Sequence, residues 1–229
     1  MNTKINSRVL DLGKVMRGVY FKMFLGILLT AIASFVFLTY FPTAMMFMVT
    51  HSVVFWGLAI VEFLFVIILS GRLEKMKKST AKLMFYIFAV LNGITMAPIF
   101  LCYTATNISI AFFITAAMFG IMSAYGYITK RDLSGWGDFL LMALIGLIIC
   151  LIVQFFWHNT MFAFLVSCAA VLIFTGLTAW DTQMIKEMIK NTESDDEVDK
   201  ISTFGALSLY LDFINLFLHI LRILGAINK

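Results

Sequence analysis

Charge is scarce in this chain. Asp, Glu, Lys and Arg make up 13% of the 229 residues, about half the ~25% of an average soluble domain. Proline is nearly missing: Pro42 and Pro98 stand alone, so the long apolar runs meet a helix breaker at only two points. The three cysteines, Cys102, Cys150 and Cys168, form an odd set with no CxxC pair, which argues against structural disulfides and against a thiolate metal site. His51, His158 and His219 are the three histidines, and no HExxH pattern contains them, which argues against a zinc site. GxSxG and P-loop patterns are absent as well, and the chain reads as a non-enzyme with no bound cofactor. No short apolar segment with a small-residue cleavage site precedes the first long run, so no cleaved signal peptide is expected.

What is abundant is apolar surface. Hydrophobic residues reach 62% and the mean hydropathy is +0.97, more than a soluble domain of this length can bury. The expectation is an all-α polytopic membrane protein, with the bilayer as its first partner. Seven runs approach the ~20 residues that cross a hydrocarbon core of about 30 Å. They lie near 21–41, 50–70, 83–103, 107–128, 138–157, 161–185 and 204–225. Together they predict a single seven-helix domain over 1–229, with a cytoplasmic arm at 1–20 and an acidic cytoplasmic loop at 186–203. Tyr20, Tyr40, Tyr103, Tyr127, Trp136 and Trp157 stand near the run ends, as interfacial aromatics do. Pro42 marks a turn, and Pro98, following Asn92 and Gly93, predicts a kinked or broken third span.

All but two of the 17 lysines and arginines fall on one side of these runs, in the N-terminal arm and the second, fourth and sixth connections. The positive-inside rule therefore puts the N-terminus in the cytoplasm. This orientation opposes a G-protein-coupled receptor, and the seventh run offers no lysine for a retinal Schiff base, only Lys229 beyond its end. The net charge of +4 is spread over separate loops, which does not suit nucleic acid. The sixth connection is acidic, with Glu193, Asp195, Asp196, Glu197 and Asp199. It reads first as a solvated loop and second as a cation-gathering mouth, and it lacks the ligand spacing of an EF-hand.

The seventh run is the most informative. Asp212, Asn215, His219 and Arg222 fall within a face of about 80° on a helix. Its 13 Leu, Ile and Phe residues between Phe204 and Leu224 gain roughly 4 to 8 kcal/mol on insertion, and an Asp and an Arg near the centre cost about 2.5 to 3.5 kcal/mol each. The balance is near zero, so this helix should be wrapped by others rather than bathed in lipid. Asp181 in the sixth run can meet Asp212 near the cytoplasmic face if the sixth helix continues past it towards Lys186. Two carboxylates in a dry site resist double ionisation and titrate in coupled steps, which makes a pH-sensitive latch. Glu62 in the second run is either protonated, paired or in contact with water. Asn215 and His219 are assigned to an ion pathway, His219 reading as a hydrogen-bonding core residue rather than a metal ligand.

Three motifs carry a family resemblance. Ala206-Leu207-Ser208-Leu209-Tyr210-Leu211-Asp212-Phe213-Ile214-Asn215-Leu216-Phe217 with Leu221-Arg222, Trp180-Asp181-Thr182-Gln183-Met184-Ile185, and Asn92-Gly93-Ile94-Thr95 with Pro98 resemble the transmembrane Bax inhibitor-1 motif family over essentially the whole chain. The resemblance implies six helices around a central seventh and, for bacterial members, a pH-dependent Ca²⁺ leak. Asp181 and Asp212 would then be the pH sensor, gate and transient Ca²⁺ ligands. Arg72 would engage the pair in the closed state, and Glu62 would lie on the ion path. Two other readings use the same residues: a proton-coupled cation exchanger, and a non-transporting regulator that acts through a membrane-protein partner. A monomer or weak oligomer in a bacterial inner membrane is expected, since the loops are short and no targeting segment precedes the first run.

Overall fold

The computed structural model describes residues 2–72, 76–157, 159–192 and 194–227. His158, Glu193, Lys229 and the side chain of Asp195 lie outside the described residues. Eight helices and no strand occur among them: α1 (Asn2–Tyr40), α2 (Pro42–Thr50), α3 (Ser52–Gly71), α4 (Lys78–Leu101), α5 (Ala105–Ile128), α6 (Ser134–Phe156), α7 (Thr160–Lys190) and α8 (Asp195–Ile227). All except α2 are long and apolar enough to cross a membrane, so the seven-span, all-α expectation holds.

Four boundaries differ from the sequence reading, each for a physical reason. First, the arm is helical from Asn2 and continuous with the first span. Met16 and Val19 are fully packed, so an apolar face persists after charges enter the sequence. Second, the turn at Pro42 opens α2, an unexpected nine-residue helix in which proline occupies the first turn and its missing N–H costs nothing. Third, α4 is not broken at Pro98 but runs on to Leu101. Pro98 sits in the last turn, where it forfeits a single backbone bond. Fourth, the predicted loop at 186–203 contracts to residues 191–194, because α7 reaches Lys190 and α8 starts at Asp195. Ile185, Ile189, Ser202 and Thr203 are buried on those extensions, so they are amphipathic helix rather than loop.

The chain forms two compact units. The first comprises Met1–Cys102 and Met188–Tyr210, and the second Tyr103–Glu187 and Leu211–Lys229. In the first, α1 and α4 approach closely at Gly93. A Cβ there would lie 2.5 Å from the Thr30 carbonyl oxygen and 2.9 Å from Ala33 Cβ, and Ser34 Oγ donates to the Gly93 carbonyl at 2.6 Å. In the second, α5 and α7 meet at Gly126, where a Cβ would press into the Ala179 carbonyl, and α6 meets α7 at Gly137, beneath the Trp180 ring. Small residues at such crossings are how helices pack when lipid removes the hydrophobic drive between them.

Burial separates the last helix from the rest. The apolar window of α8 is 72% buried, whereas no other span exceeds 33%. Its polar positions Asp212 and His219 and its apolar positions Leu207, Leu209, Tyr210, Leu216 and Leu221 are all buried. That agrees with the near-zero insertion balance of its sequence.

Candidate functional site

The sixth-span motif explains itself residue by residue. Trp180 covers Gly137 of α6. Thr182 Oγ1 lies 3.0 Å from Ser123 Oγ of α5. The Gln183 side chain accepts from Leu133 N at 2.7 Å and donates to the Arg131 carbonyl at 2.9 Å, which ties α7 to the α5–α6 connection. One turn on, Lys186 Nζ donates to the Tyr127 carbonyl at 2.7 Å. These contacts fix the rotation of α7 and with it the direction of Asp181.

The carboxyl groups of Asp181 and Asp212 meet in the second unit. Both are buried, at 8% and 4% exposure. The condition for their meeting is met, since α7 continues well past Asp181. Among the described residues no N–H or hydroxyl donor reaches Asp212 Oδ2. Two ionised carboxylates cannot hydrogen-bond, so a bond between the two would need a proton on one of them. No third His, Cys, Asp or Glu completes a metal cluster among the described residues. A resident Ca²⁺ takes about 6 to 8 oxygen ligands, which two carboxyl groups fall short of supplying.

Along the same face of α8, Asn215 is half-buried and donates through Nδ2 to the Leu211 carbonyl at 2.8 Å. His219 is buried against Phe174, and its Nδ1 has no hydrogen-bond partner among the described residues. Arg222 is exposed at the end of this face. Arg72 caps the end of α3 in the first unit and is exposed.

Glu62 sits in the first unit and is paired with neutral donors. Thr95 Oγ1 donates to its Oε1 at 2.5 Å and Asn92 Nδ2 to its Oε2 at 3.2 Å. The third-span motif thus divides its labour: Asn92 and Thr95 hold Glu62, and Gly93 admits α1. The sequence marked this motif without assigning those roles. It also missed Tyr210, whose hydroxyl donates to Asn92 Oδ1 at 3.2 Å and lies 2.6 Å from Thr30 Oγ1. A tyrosine within a run of Leu and Phe carries no sign of being polar-bonded. Lys22 was missed too. Its ammonium donates to Ser202 Oγ at 3.1 Å and Thr203 Oγ1 at 3.3 Å and pairs with Asp199 at 3.4 Å, across 177 residues or more of sequence. Asp199, expected in a loop, is therefore part of a helix contact.

Outside the spans, Asp132 accepts from Ser134 N at 2.9 Å and from Ser134 Oγ at 2.6 Å. These two bonds hold its carboxyl below the usual carboxylate range.

Residues 12–229 match the family model described as "Inhibitor of apoptosis-promoting Bax1". The chain is 42% identical to the inner membrane protein YbhL of Escherichia coli (strain K12), over 92% of its own length and 90% of that protein. It is 37% identical to an uncharacterized protein of Borreliella burgdorferi over 97% of this chain and 96% of the other. An uncharacterized protein of Rickettsia prowazekii is likewise 37% identical, over 98% and 95%. With seven apolar helices and a family match across nearly its whole length, the chain is an integral membrane protein and belongs to the Bax inhibitor-1 family.

Proposed function

We propose that this protein is a Ca²⁺-permeable leak channel gated by the proton shared between Asp181 and Asp212. The observation that carries the reading is the meeting of these two carboxyl groups in a buried setting. While the proton is present, the bond ties α7 to α8. Once it is lost, two like charges face each other in a low-dielectric site, which weakens the tie and draws in a cation. Glu62 supplies a further carboxyl within a span, and the family resemblance makes Arg72 the residue that engages the pair in the closed state. Asn215 and His219 extend the polar face of α8 beyond the aspartates.

The lysine and arginine distribution supports a cytoplasmic N-terminus, and α8 is an unbroken helix of 33 residues, about 50 Å long at 1.5 Å per residue, enough to cross. The similarity to an inner membrane protein supports a bacterial cell membrane. The test is Ca²⁺ entry into dye-loaded liposomes holding the purified chain, with pH stepped and Asp181→Asn and Asp212→Asn run alongside. A pH-dependent flux that both substitutions alter supports the gate. Saturable flux driving protons the other way replaces it with an exchanger. No flux at any pH, with a membrane protein co-purifying, replaces it with a regulator.

A further inference from the structure

The first unit holds an open cavity of about 720 Å³ at the end of α1 remote from Lys22. About 27 Å of helix separates Lys22 from Tyr40, close to the thickness of a hydrocarbon core, so the cavity stands at the opposite membrane face from that lysine. It lies between α1, α3, α4 and the short helix α2, which packs against all three. Phe37 of α1, Met48 of α2, Leu58 of α3 and Ile94 of α4 are among its walls. Met48 is buried, whereas Tyr40, Phe41 and Phe47 are exposed and mark the mouth. The exposed neighbours Met46, Val49 and Val53 continue the apolar surface from there.

The sequence around this cavity excludes most ligands. No Asp, Glu, Lys or Arg occurs between Lys22 and Glu62, so no charge is there to hold an ion, a nucleotide or a charged peptide. The polar groups that close α2 are turned onto its own backbone. Thr50 Oγ1 donates to the Met46 carbonyl at 2.8 Å, and His51 Nδ1 lies 3.0 Å from the Phe47 carbonyl with its ring stacked on Phe47. A cavity water needs two to four polar partners, which walls of this kind do not supply. An empty recess forfeits dispersion contacts along its whole lining. In an integral membrane protein, the apolar molecule present at such a mouth is the acyl chain of a lipid.

We propose that this cavity is a binding site for one acyl chain of a membrane phospholipid, with α2 packed against the seated chain. Its volume falls within the roughly 300 to 1,000 Å³ of sites for organic ligands. The flexible thioether of Met48 adapts to a chain of variable bend. The lipid head stays at the mouth beside the hydroxyls of Tyr40 and Thr43, which do not select for head-group charge. Recognition is by the chain, so zwitterionic and anionic phospholipids are accepted alike. The site needs neither the aspartate pair, which lies in the second unit, nor ion flux.

Full-length protein is placed in nanodiscs of phosphatidylethanolamine and phosphatidylglycerol, with part of the phospholipid carrying a diazirine at the end of one chain. After illumination the labelled residues are mapped by mass spectrometry. A seated chain concentrates label on Met48, Leu58 and Ile94, above the level at Phe35, which is exposed on α1 outside the cavity. Native mass spectrometry in detergent then counts retained lipid. Wild type and Phe35→Trp should each keep a single phospholipid, of either head group, and Ala44→Trp should lose it, because Ala44 lines the cavity and the indole fills it. Should Ala44→Trp not fold, the wild-type label map decides alone. Label no stronger at the walls than at Phe35, or equal retention in Ala44→Trp and wild type, overturns the proposal. So does a dimer that Ala44→Trp dissociates, since a second copy then fills the cavity. Retention of one head group only overturns recognition by the chain.

Discussion

Phe174 of α7 stacks on His219 of α8 with ring centroids 6.2 Å apart and planes inclined by 20°. Each is seven residues from a member of the Asp181–Asp212 pair, Phe174 before Asp181 and His219 after Asp212. Two turns of helix, about 10.5 Å, therefore separate the two contacts on both helices, and α7 and α8 run antiparallel in matched register. The stack is a second fastening of the seam that holds the aspartates.

Phe174→Ala should loosen that seam. The residue is 6% exposed, and in a water-soluble core such a truncation costs about 3 to 5 kcal/mol. The unfolded reference here lies in lipid, so mainly packing is lost, and a cost of about 1 to 3 kcal/mol is expected. Denaturant titration in mixed micelles reads it. The same variant should also shift the pH midpoint of the aspartate pair, because the register that brings them together is less well held. An unchanged midpoint in a folded variant would mean that the aspartates find each other without the stack.

Gly126→Ala should destabilise the second unit by about 1 to 3 kcal/mol, the usual cost of overpacking. The added methyl meets backbone at Ala179 rather than a flexible side chain, so the helices must part. Gly146→Ala on α6 is the control, since nothing lies within 4 Å of its Cβ position. Gly146→Ala should be neutral or mildly stabilising by helix propensity. Thermal scans of both in detergent check the contrast, and equal effects would contradict the close approach.

Asp132 provides a pH effect whose sign can be worked out. Its folded-state affinity for a proton is lowered by the bonds from Ser134. The stabilisation it gives is thus present above the ordinary carboxylate range of about 3.9 and lost as pH falls through the lower folded value. Amide exchange at the start of α6 should quicken in acid relative to a reference amide. Asp132→Ala should exchange fast already at neutral pH and show no further acid-induced change. A wild-type ratio that stays constant through the acid range would mean that the Asp132–Ser134 bonds do not hold the start of α6.

The seven spans were legible because lipid leaves a coarse signature, apolar runs of sufficient length. Their ends were not, since a run ends at the first charges while an amphipathic helix such as the tail of α7 continues through them with Ile185 and Ile189 still packed. Asp181, Asp212 and Glu62 stood out because charge inside a span is costly. Their neutral partners did not: Asn92, Thr95 and Tyr210 cost little enough to pass as ordinary span residues, and Tyr210 bonds a residue 118 positions away. Lys22 looked like one more cytoplasmic charge, although its side chain is only 14% exposed and is held by α8.

The central claim is that one shared proton on Asp181 and Asp212 controls passage of Ca²⁺. The most direct test is initial Ca²⁺ influx into liposomes holding the purified protein, recorded as pH is stepped across about 5 to 8, where buried carboxyl pairs titrate. Asp181→Asn keeps a hydrogen bond to Asp212 but removes one of the two titrating groups. The account predicts a wild-type flux that steps within this window and a variant flux whose step is lost or displaced. A variant that retains the full wild-type pH dependence would contradict the account and leave the aspartate pair as a structural tie between α7 and α8.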